Sequence, residues 1–369
     1  MNVLLVNWQD RLNPQAGGAE IHLFELFRRL ANRGHRVRMI CSGWSGAPAT
    51  ELVDGLEVHR TGDRHSFAWR GRGAVRRALR AERPDILVED INKLPLFVAG
   101  LTDRPMAVIV LHLFGTTAFQ EASWPVAAAV VAAERLIPSA YRRAGFHVIS
   151  ESTRDDLVAR GIPANRITVI HPGVDSIAFA PDPSLDRSDP PAFLYVGRLR
   201  RYKRVDVAIE ALALARRERP ELTLDIAGSG DDRPRLEQQV ARLGLADAVR
   251  FHGFVAEAVK LRLLRTTWAN LFPSPKEGWG ITVMEAAACG TPSLASDSPG
   301  LRDSVVDGQT GCLVPHGDAA ALARHMLTFA ADRPLVDRLG RAARRHAEAH
   351  TWEAAATATE AHLHTLAGH

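Results

Sequence analysis

The sequence predicts an α/β protein of two doubly wound domains. Three observations predict it. Short apolar runs alternate with amphipathic segments along the whole chain. A stretch rich in turn formers, Ala180 to Pro191, interrupts the alternation, which then restarts. The length of 369 residues suits two domains at about 100–200 residues each.

Val3–Val6, an apolar run bounded by Asn2 and Asn7, reads as the first buried strand. A helix follows from Gly18 to Arg33, with Ile21, Phe24, Leu26, Phe27 and Leu30 as its apolar stripe and Gly34 where a helix end belongs. Val37–Cys41, Ile86–Glu89, Ala107–Leu111, Phe146–Ile149 and Ile167–Ile170 read as further strands, each separated by a helical stretch. Such βα repetition favours a parallel sheet covered on both faces. Beyond the break, strands are expected at Phe193–Val196, Thr223–Ala227, Val249–Phe251, Ala269–Phe272, Ser293–Ala295 and Cys312–Val314. The clearest helices between them are Val205–Arg217, Arg233–Leu243 and Thr282–Cys289, and the last 50 residues are Ala-rich and helical. The expected organisation is a first domain over 1–175, a linker over 176–191 and a second domain over 192–351. In such sheets a ligand sits beyond the carboxyl ends of the strands.

Composition narrows the function. With 46% hydrophobic and 24% charged residues the chain has ample core, which excludes wholesale disorder. The three cysteines, Cys41, Cys289 and Cys312, lie far apart, so no disulfide framework or zinc knuckle is expected, and free thiols suit a reducing cytoplasm. The longest apolar stretch, Pro125 to Ala133, is far short of the roughly 20 residues of a membrane span. The start lacks the basic region of a signal peptide. Residues 1–180 carry 22 Lys+Arg against 18 Asp+Glu, whereas 181–369 carry 24 of each, so the whole excess of +4 sits in the first half. Eight arginines from Arg60 to Arg83, against Asp63 and Glu82, create most of it. Such a run is often a solvated helix face. Its functional reading is contact with an anionic membrane through 60–83, peripheral at the inner face. No aromatic-interleaved platform or known module supports nucleic acid as the partner.

Absent motifs exclude several chemistries. There is no GxGxxG after the first strand, no GxxxxGK[ST], no GxSxG elbow and no HExxH. No Asp-x-Asp pair is present for a metal–nucleotide complex, so a bound diphosphate would depend on basic side chains and backbone N–H groups.

Four constellations remain. Gly197-Arg198-Leu199-Arg200-Arg201-Tyr202-Lys203 follows a strand and sets two cations, Arg198 and Lys203, where a diphosphate could sit. Gly228-Ser229-Gly230 opens the next helix, its glycines allowing backbone to approach a ligand. The third is the most specific: Lys276-Glu277-Gly278-Trp279-Gly280-Ile281-Thr282 leading to Glu285 and to Cys289-Gly290-Thr291-Pro292. Its helix start attracts phosphate or sugar oxygens. Glu277 and Glu285, eight residues apart, would lie about 12 Å apart on a continuous helix. A retaining glycosidase pair needs about 5–5.5 Å. The two acids therefore suit two parts of one long ligand. The fourth, Gly17-Gly18-Ala19-Glu20, places a glycine pair at a helix start as a candidate anion nest.

In this order, together with Ser150-Glu151-Ser152-Thr153 and Val169-Ile170-His171-Pro172-Gly173-Val174-Asp175, these motifs resemble the retaining glycosyltransferases of family 4, the glycogen-synthase-like or group 1 glycosyltransferases. The resemblance spans nearly the whole chain. It implies a GT-B fold, two Rossmann-like domains facing a central cleft, with the final residues from about 352 to 369 crossing back to the first domain. It implies transfer of a hexose-type sugar, with retention, from a UDP- or GDP-linked donor to a hydroxyl of a glycan, lipid-linked saccharide or small molecule. No metal or other cofactor is implied. Arg198 and Lys203 would grip the diphosphate, Glu285 the ribose, and Glu277 the transferred sugar. Gly278, Trp279 and the N–H groups of Gly280, Ile281 and Thr282 would assist Glu277. Gly17 and Gly18 would approach the diphosphate from the other domain, Gly228 and Gly230 would line the donor, and the loop with Phe254 and Val255 would meet the base. His112 stands where the family often has a histidine near the donor sugar, so Glu277, His112, Arg198 and Lys203 form the expected catalytic set. Trp279 departs from the Phe of many members. The alternatives are a sugar phosphorylase or synthase of the same fold, and a non-catalytic sugar-nucleotide-binding protein.

Overall fold

The computed structural model describes residues 1–121 and 123–368. The chain divides into two compact units: Met1–Pro172 together with the chain from Trp352 onward, and Gly173–Thr351.

The first unit is built on an eight-stranded sheet. Its strands are β1 (Asn2–Val6), β2 (Arg36–Cys41), β3 (Thr50–Val53), β4 (Leu56–Arg60), β5 (Ile86–Asp90), β6 (Met106–Val110), β7 (Gly145–Val148) and β8 (Ile167–Val169), in the order β3-β4-β2-β1-β5-β6-β7-β8. All pairs are parallel except β3–β4. The helices are α1 (Gly18–Asn32), α2 (Phe67–Glu82), α3 (Ala118–Glu121), α4 (Trp124–Arg135), α5 (Ile137–Ala140) and α6 (Glu151–Ala159). Strands β5 and β6 are buried along their whole length, as apolar runs between two helix layers must be.

Two local features differ from the expected elements. The β3–β4 hairpin was not expected, although Asp54-Gly55 between apolar residues is its signal. Both turn residues take positive φ (49° and 85°), which a two-residue hairpin turn matching the twist of its strands demands. In α1 the buried apolar face consists of Leu23, Phe24, Leu26, Phe27 and Leu30, while Ile21 is 49% exposed. At about 100° per residue Ile21 lies roughly 160° round from Leu23 and points to solvent. His22 is buried instead.

The second unit has six parallel strands, β9 (Ala192–Val196), β10 (Thr223–Ala227), β11 (Val249–Gly253), β12 (Ala269–Phe272), β13 (Ser293–Ser296) and β14 (Gly311–Val314), in the order β11-β10-β9-β12-β13-β14. Its helices are α7 (Val205–Ala215), α8 (Arg233–Arg242), α9 (Glu257–Thr266), α10 (Ile281–Ala288), α11 (Leu301–Ser304), α12 (Ala319–Ala331) and α13 (Arg333–Glu348). Phe193, Tyr195, Ile209, Leu224 and Met326 centre its core. Helix α14 (Trp352–Ala367) then packs on α1 in the first unit.

The segment 176–191, read as a linker, has no helix or strand and is fastened to the second unit. Arg187 donates to Asp337, to the Thr267 carbonyl at 2.6 Å and to the Gly290 carbonyl. The Trp268 indole donates to the Ser188 carbonyl at 2.8 Å. Among the described residues no helix is long and apolar enough to cross a membrane.

Candidate active site

Strand order selects where a ligand can sit. In the second sheet β9 is flanked by β10 on one side and β12 on the other, so the strand order reverses there. Loops leaving neighbouring strands at such a point diverge and open a crevice at their carboxyl ends. The loop after β9 carries Arg198 and Lys203, and the loop after β12 carries Glu277.

Backbone interlocking makes this crevice rigid. Gly197 N–H donates to the Ala227 carbonyl, Leu199 N–H to Ser229, and Asp232 N–H to Leu199. A Cβ on Gly228 would lie 1.9 Å from the Gly197 carbonyl oxygen, and one on Gly230 would lie 2.0 Å from that of Leu199. The close approach they permit is that of the neighbouring loop's backbone, and they position Arg198 indirectly. Arg198 is exposed, and its carbonyl accepts from the buried Tyr195 hydroxyl at 3.0 Å.

Lys203, just ahead of α7, places its ammonium 2.5 Å from a Glu277 carboxylate oxygen, with both side chains 13% exposed. The same ammonium stands 5.7 Å from the Phe272 ring centre. Drawing two charges out of water costs more than such a pair usually returns in stability. The cost is understandable where the pair serves a ligand. Glu277 is fixed from behind: its N–H donates to the Pro299 carbonyl at 3.0 Å, and a Cβ on Gly300 would come within 2.1 Å of its own carbonyl oxygen. The Ser298 hydroxyl donates to the Ser274 carbonyl in the same loop. These supports after β13 were missed in the sequence, because nothing in Ser298-Pro299-Gly300 marks a partner of Glu277.

Glu285 belongs to a separate pair. It lies on α10 and accepts from Lys260 of α9 at 3.1 Å, and Lys260 sits 4.7 Å over the Phe179 ring. Burial pushes the Glu285 carboxyl above its ordinary range, and Lys260 opposes the shift. Lys260 carries no motif and was also missed. Helix α10 begins only at Ile281, so a helical rise does not describe the path from Glu277. Gly278 and Trp279 lie in the loop before it, Gly280 is the residue ahead of the first turn, and Ile281 and Thr282 form the start of the helix, which has no side-chain cap. Trp279 is 2% exposed and packs 5.6 Å from the His350 ring, inside the unit. Phe254 is 88% exposed beside Val255, beyond β11.

The first unit has its own reversal, at β1 between β2 and β5. Gly17 caps α1 in extended conformation, and its N–H donates to Glu20 at 2.7 Å. The expected nest amide is therefore already satisfied by a carboxylate. Asn92 donates to the other Glu20 oxygen. Asp90, at the end of β5, is buried with no hydrogen-bond partner on either oxygen, and burial, then Glu20 and Glu89, push its carboxyl well up. Asp90 was not singled out from sequence, where it reads as an ordinary strand-end acid. Buried Arg60 bridges Asp10 at 2.7 Å and Glu51 at 2.6 Å. His112 lies two residues past β6, half-buried, with its ring edge 5.2 Å from Phe114.

With this geometry in hand, the chain compares clearly with known proteins. Residues 177–346 match the family described as glycosyl transferases group 1, and residues 16–176 match glycosyltransferase family 4. The D-inositol 3-phosphate glycosyltransferase of Streptomyces avermitilis is 33% identical over 93% of this chain and 82% of its own length. The chain belongs to the group 1 glycosyltransferases. Solved structures agree on the GT-B fold of this glycosyltransferase. Sucrose-phosphate synthase from Thermosynechococcus elongatus aligns with a TM-score of 0.82 at 22% identity, over 99% of this chain and 98% of the other. Anabaena HepE, solved with UDP and glucose, aligns with a TM-score of 0.77 at 18% identity, over 99% and 100%. Within the glycosyltransferase, Arg198, Lys203, Glu277 and Glu285 all fall in the group 1 match, and Gly17, Gly18 and His112 in the family 4 match.

Proposed function

We propose that this glycosyltransferase moves a hexose-type sugar from a UDP- or GDP-linked donor to an acceptor hydroxyl, with retention of anomeric configuration and without a metal. The Lys203–Glu277 pair at the β9/β12 reversal carries the reading. An ammonium held rigidly at a strand end meets a diphosphate leaving group with a fixed charge. Such preorganised charge lowers the barrier because nothing must reorganise as the sugar–phosphate bond breaks. Arg198, exposed on the interlocked loop, supplies the second cation. With both in place no general acid is required for departure. Glu277, released from Lys203 by the incoming diphosphate, accepts hydroxyl hydrogens of the sugar, and Glu285 those of the ribose. Phe254 and Val255 meet the base. The first unit, with His112, Gly17 and Gly18, takes the acceptor.

UDP in the Anabaena complex supports a uridine donor, and the named substrate of the Streptomyces relative supports a small phosphorylated polyol among the acceptors. Glycans and lipid-linked saccharides are the other classes. The test is to incubate the protein, in the presence of a chelator, with UDP- and GDP-sugars and an acceptor panel, then read product linkage by NMR. Transfer with an unchanged anomeric centre supports the reading. Inversion, or turnover only after a divalent metal is restored, contradicts it. A melting shift with inorganic phosphate but not UDP or GDP would favour the phosphorylase alternative.

A further inference from the structure

The structure sorts the eight arginines between Arg60 and Arg83 into two groups. Arg60 is consumed internally by Asp10 and Glu51. Arg72 donates to the carbonyls of Leu96 and Phe97, and Arg64 to the Gln15 side chain. Arg70, Arg76, Arg77 and Arg80 remain on the exposed face of α2, with Arg83 exposed just beyond it. The one acid of α2, Glu82, pairs with Arg38 of β2. No acid therefore offsets this face from its own helix. Among the arginines stands Trp69, 73% exposed. A merely solvated helix face has no reason to place its largest apolar side chain in water.

A second apolar feature lies on the same side of the sheet. Helix α4 opens Trp124-Pro125-Val126 and continues through Ala133 without a polar residue. Trp124 is 73% exposed and Val126 51%, and Phe119 of α3 packs its ring 6.4 Å from that of Trp124. The connections β4–α2–β5 and β6–α4–β7 move across the sheet in the same direction. Right-handed crossovers therefore put α2 and α4 on one face, opposite α1. Both helices run against their strands, so both tryptophans, near helix starts, lie at the carboxyl end of the sheet.

We propose that this face of the first unit docks on a bilayer containing anionic lipids, with Trp69, Trp124 and Phe119 entering the headgroup region and the α2 arginines neutralising lipid charge. Exposed tryptophan is at its lowest free energy at a membrane–water boundary. Arginine stems reach over apolar surface while their guanidinium groups stay at the charged headgroups. The docking holds irrespective of the donor assignment, since none of these residues belongs to the β9/β12 site. It brings the carboxyl end of the first sheet to the membrane plane, where an acceptor carried on a lipid would be presented.

The experiment is sedimentation of the full chain with vesicles of phosphatidylcholine, alone or mixed with phosphatidylglycerol. The proposal expects pelleting on the mixed vesicles at low ionic strength, weakened by salt, and little on phosphatidylcholine alone. Each arginine near an anionic surface is worth about fivefold in partitioning, so Arg70→Gln/Arg76→Gln/Arg77→Gln should lower it by roughly 100-fold. Trp69→Ser should lower it further, and quenching by brominated lipid should diminish in Trp69→Phe. All four side chains are exposed, so an unchanged melting temperature confirms that the variants fold. Absence of pelleting at low salt, or pelleting of the triple variant equal to that of the unaltered chain, overturns the proposal. Filter retention of a mixed-sequence DNA duplex without vesicle binding would assign the face to nucleic acid and overturn it as well.

Discussion

The two sheets reverse their strand order in the same way and furnish the reversal with opposite chemistry. At β9/β12 a lysine and an arginine stand on a backbone locked by Gly228 and Gly230, with one acid, Glu277, opposite Lys203. At β1/β5 the groups are carboxylic: Glu20 satisfies its own helix start, and Asp90 is buried with neither oxygen hydrogen-bonded. Arg60 there is held by Asp10 and Glu51, and Lys93 opposes the upward shift of Asp90. The first of these reversals offers cations to an anionic group, whereas the carboxylates of the second offer acceptors to hydroxyls.

The largest effect that sharpens this contrast is steric. Gly230→Ala would press a Cβ into the Leu199 carbonyl, whose backbone cannot turn aside as a flexible side chain would. It should cost about 3 kcal/mol in denaturant unfolding and abolish turnover. In the first unit, Gly73→Ala on α2 meets nothing closer than the Arg77 guanidinium at 3.7 Å. It should stabilise by about 0.5–1 kcal/mol through helix propensity. Equal effects would remove the claim that the β9/β12 reversal depends on backbone interlocking.

Acid should separate the units next. Burial lowers His22 to about 4 and His147 well below its ordinary value, and it lowers His362 as well. These rings meet where α1, β7 and α14 pack, His22 and His147 at 5.9 Å and His147 and His362 at 6.4 Å. Neutral in the folded unit and protonated near 6.5 when unfolded, they contribute stability that is full above about pH 6.5 and is lost as pH falls towards 4. Amide exchange in α1 and α14 should therefore rise about tenfold to a hundredfold from pH 7 to pH 5, after correction for intrinsic rates. Exchange in α7 should change less, because the lowered histidines of the second unit, His316 and His325, are exposed or half-buried. The smallest effect belongs to Phe254→Ala. A side chain this exposed should move stability by less than about 0.5 kcal/mol, while weakening nucleotide affinity if it meets the base.

Much of this was legible in the sequence, and the failures have physical causes. Parallel strands buried on both faces announce themselves as apolar runs, so both sheets could be read, whereas the short edge hairpin β3–β4 is only half apolar and passed unnoticed. Arg198, Lys203 and Glu277 stand out because each follows a strand, and Glu285 because it is the one acid of an otherwise apolar, small-residue helix. Their partners do not. Lys260, Pro299 and Gly300 reach the site from elements distant in sequence, and a contact of that kind leaves no local pattern. The glycines were found for their position, but only coordinates show that Gly197 and Leu199 are the backbone neighbours packed against them.

The central claim is that Lys203 is a diphosphate clamp held ready by Glu277. Calorimetric titration of UDP into the unaltered protein, into Lys203→Ala and into Lys203→Ala/Glu277→Gln tests it most directly. A charge-assisted hydrogen bond is worth about 1.5–3 kcal/mol, so Lys203→Ala should weaken binding by about tenfold to a hundredfold. The double variant should remain weak, because the lost attraction, rather than repulsion by a stranded Glu277, is the cause. Binding by Lys203→Ala within about threefold of the unaltered protein, a difference below about 0.7 kcal/mol, or full recovery in the double variant, would contradict the account.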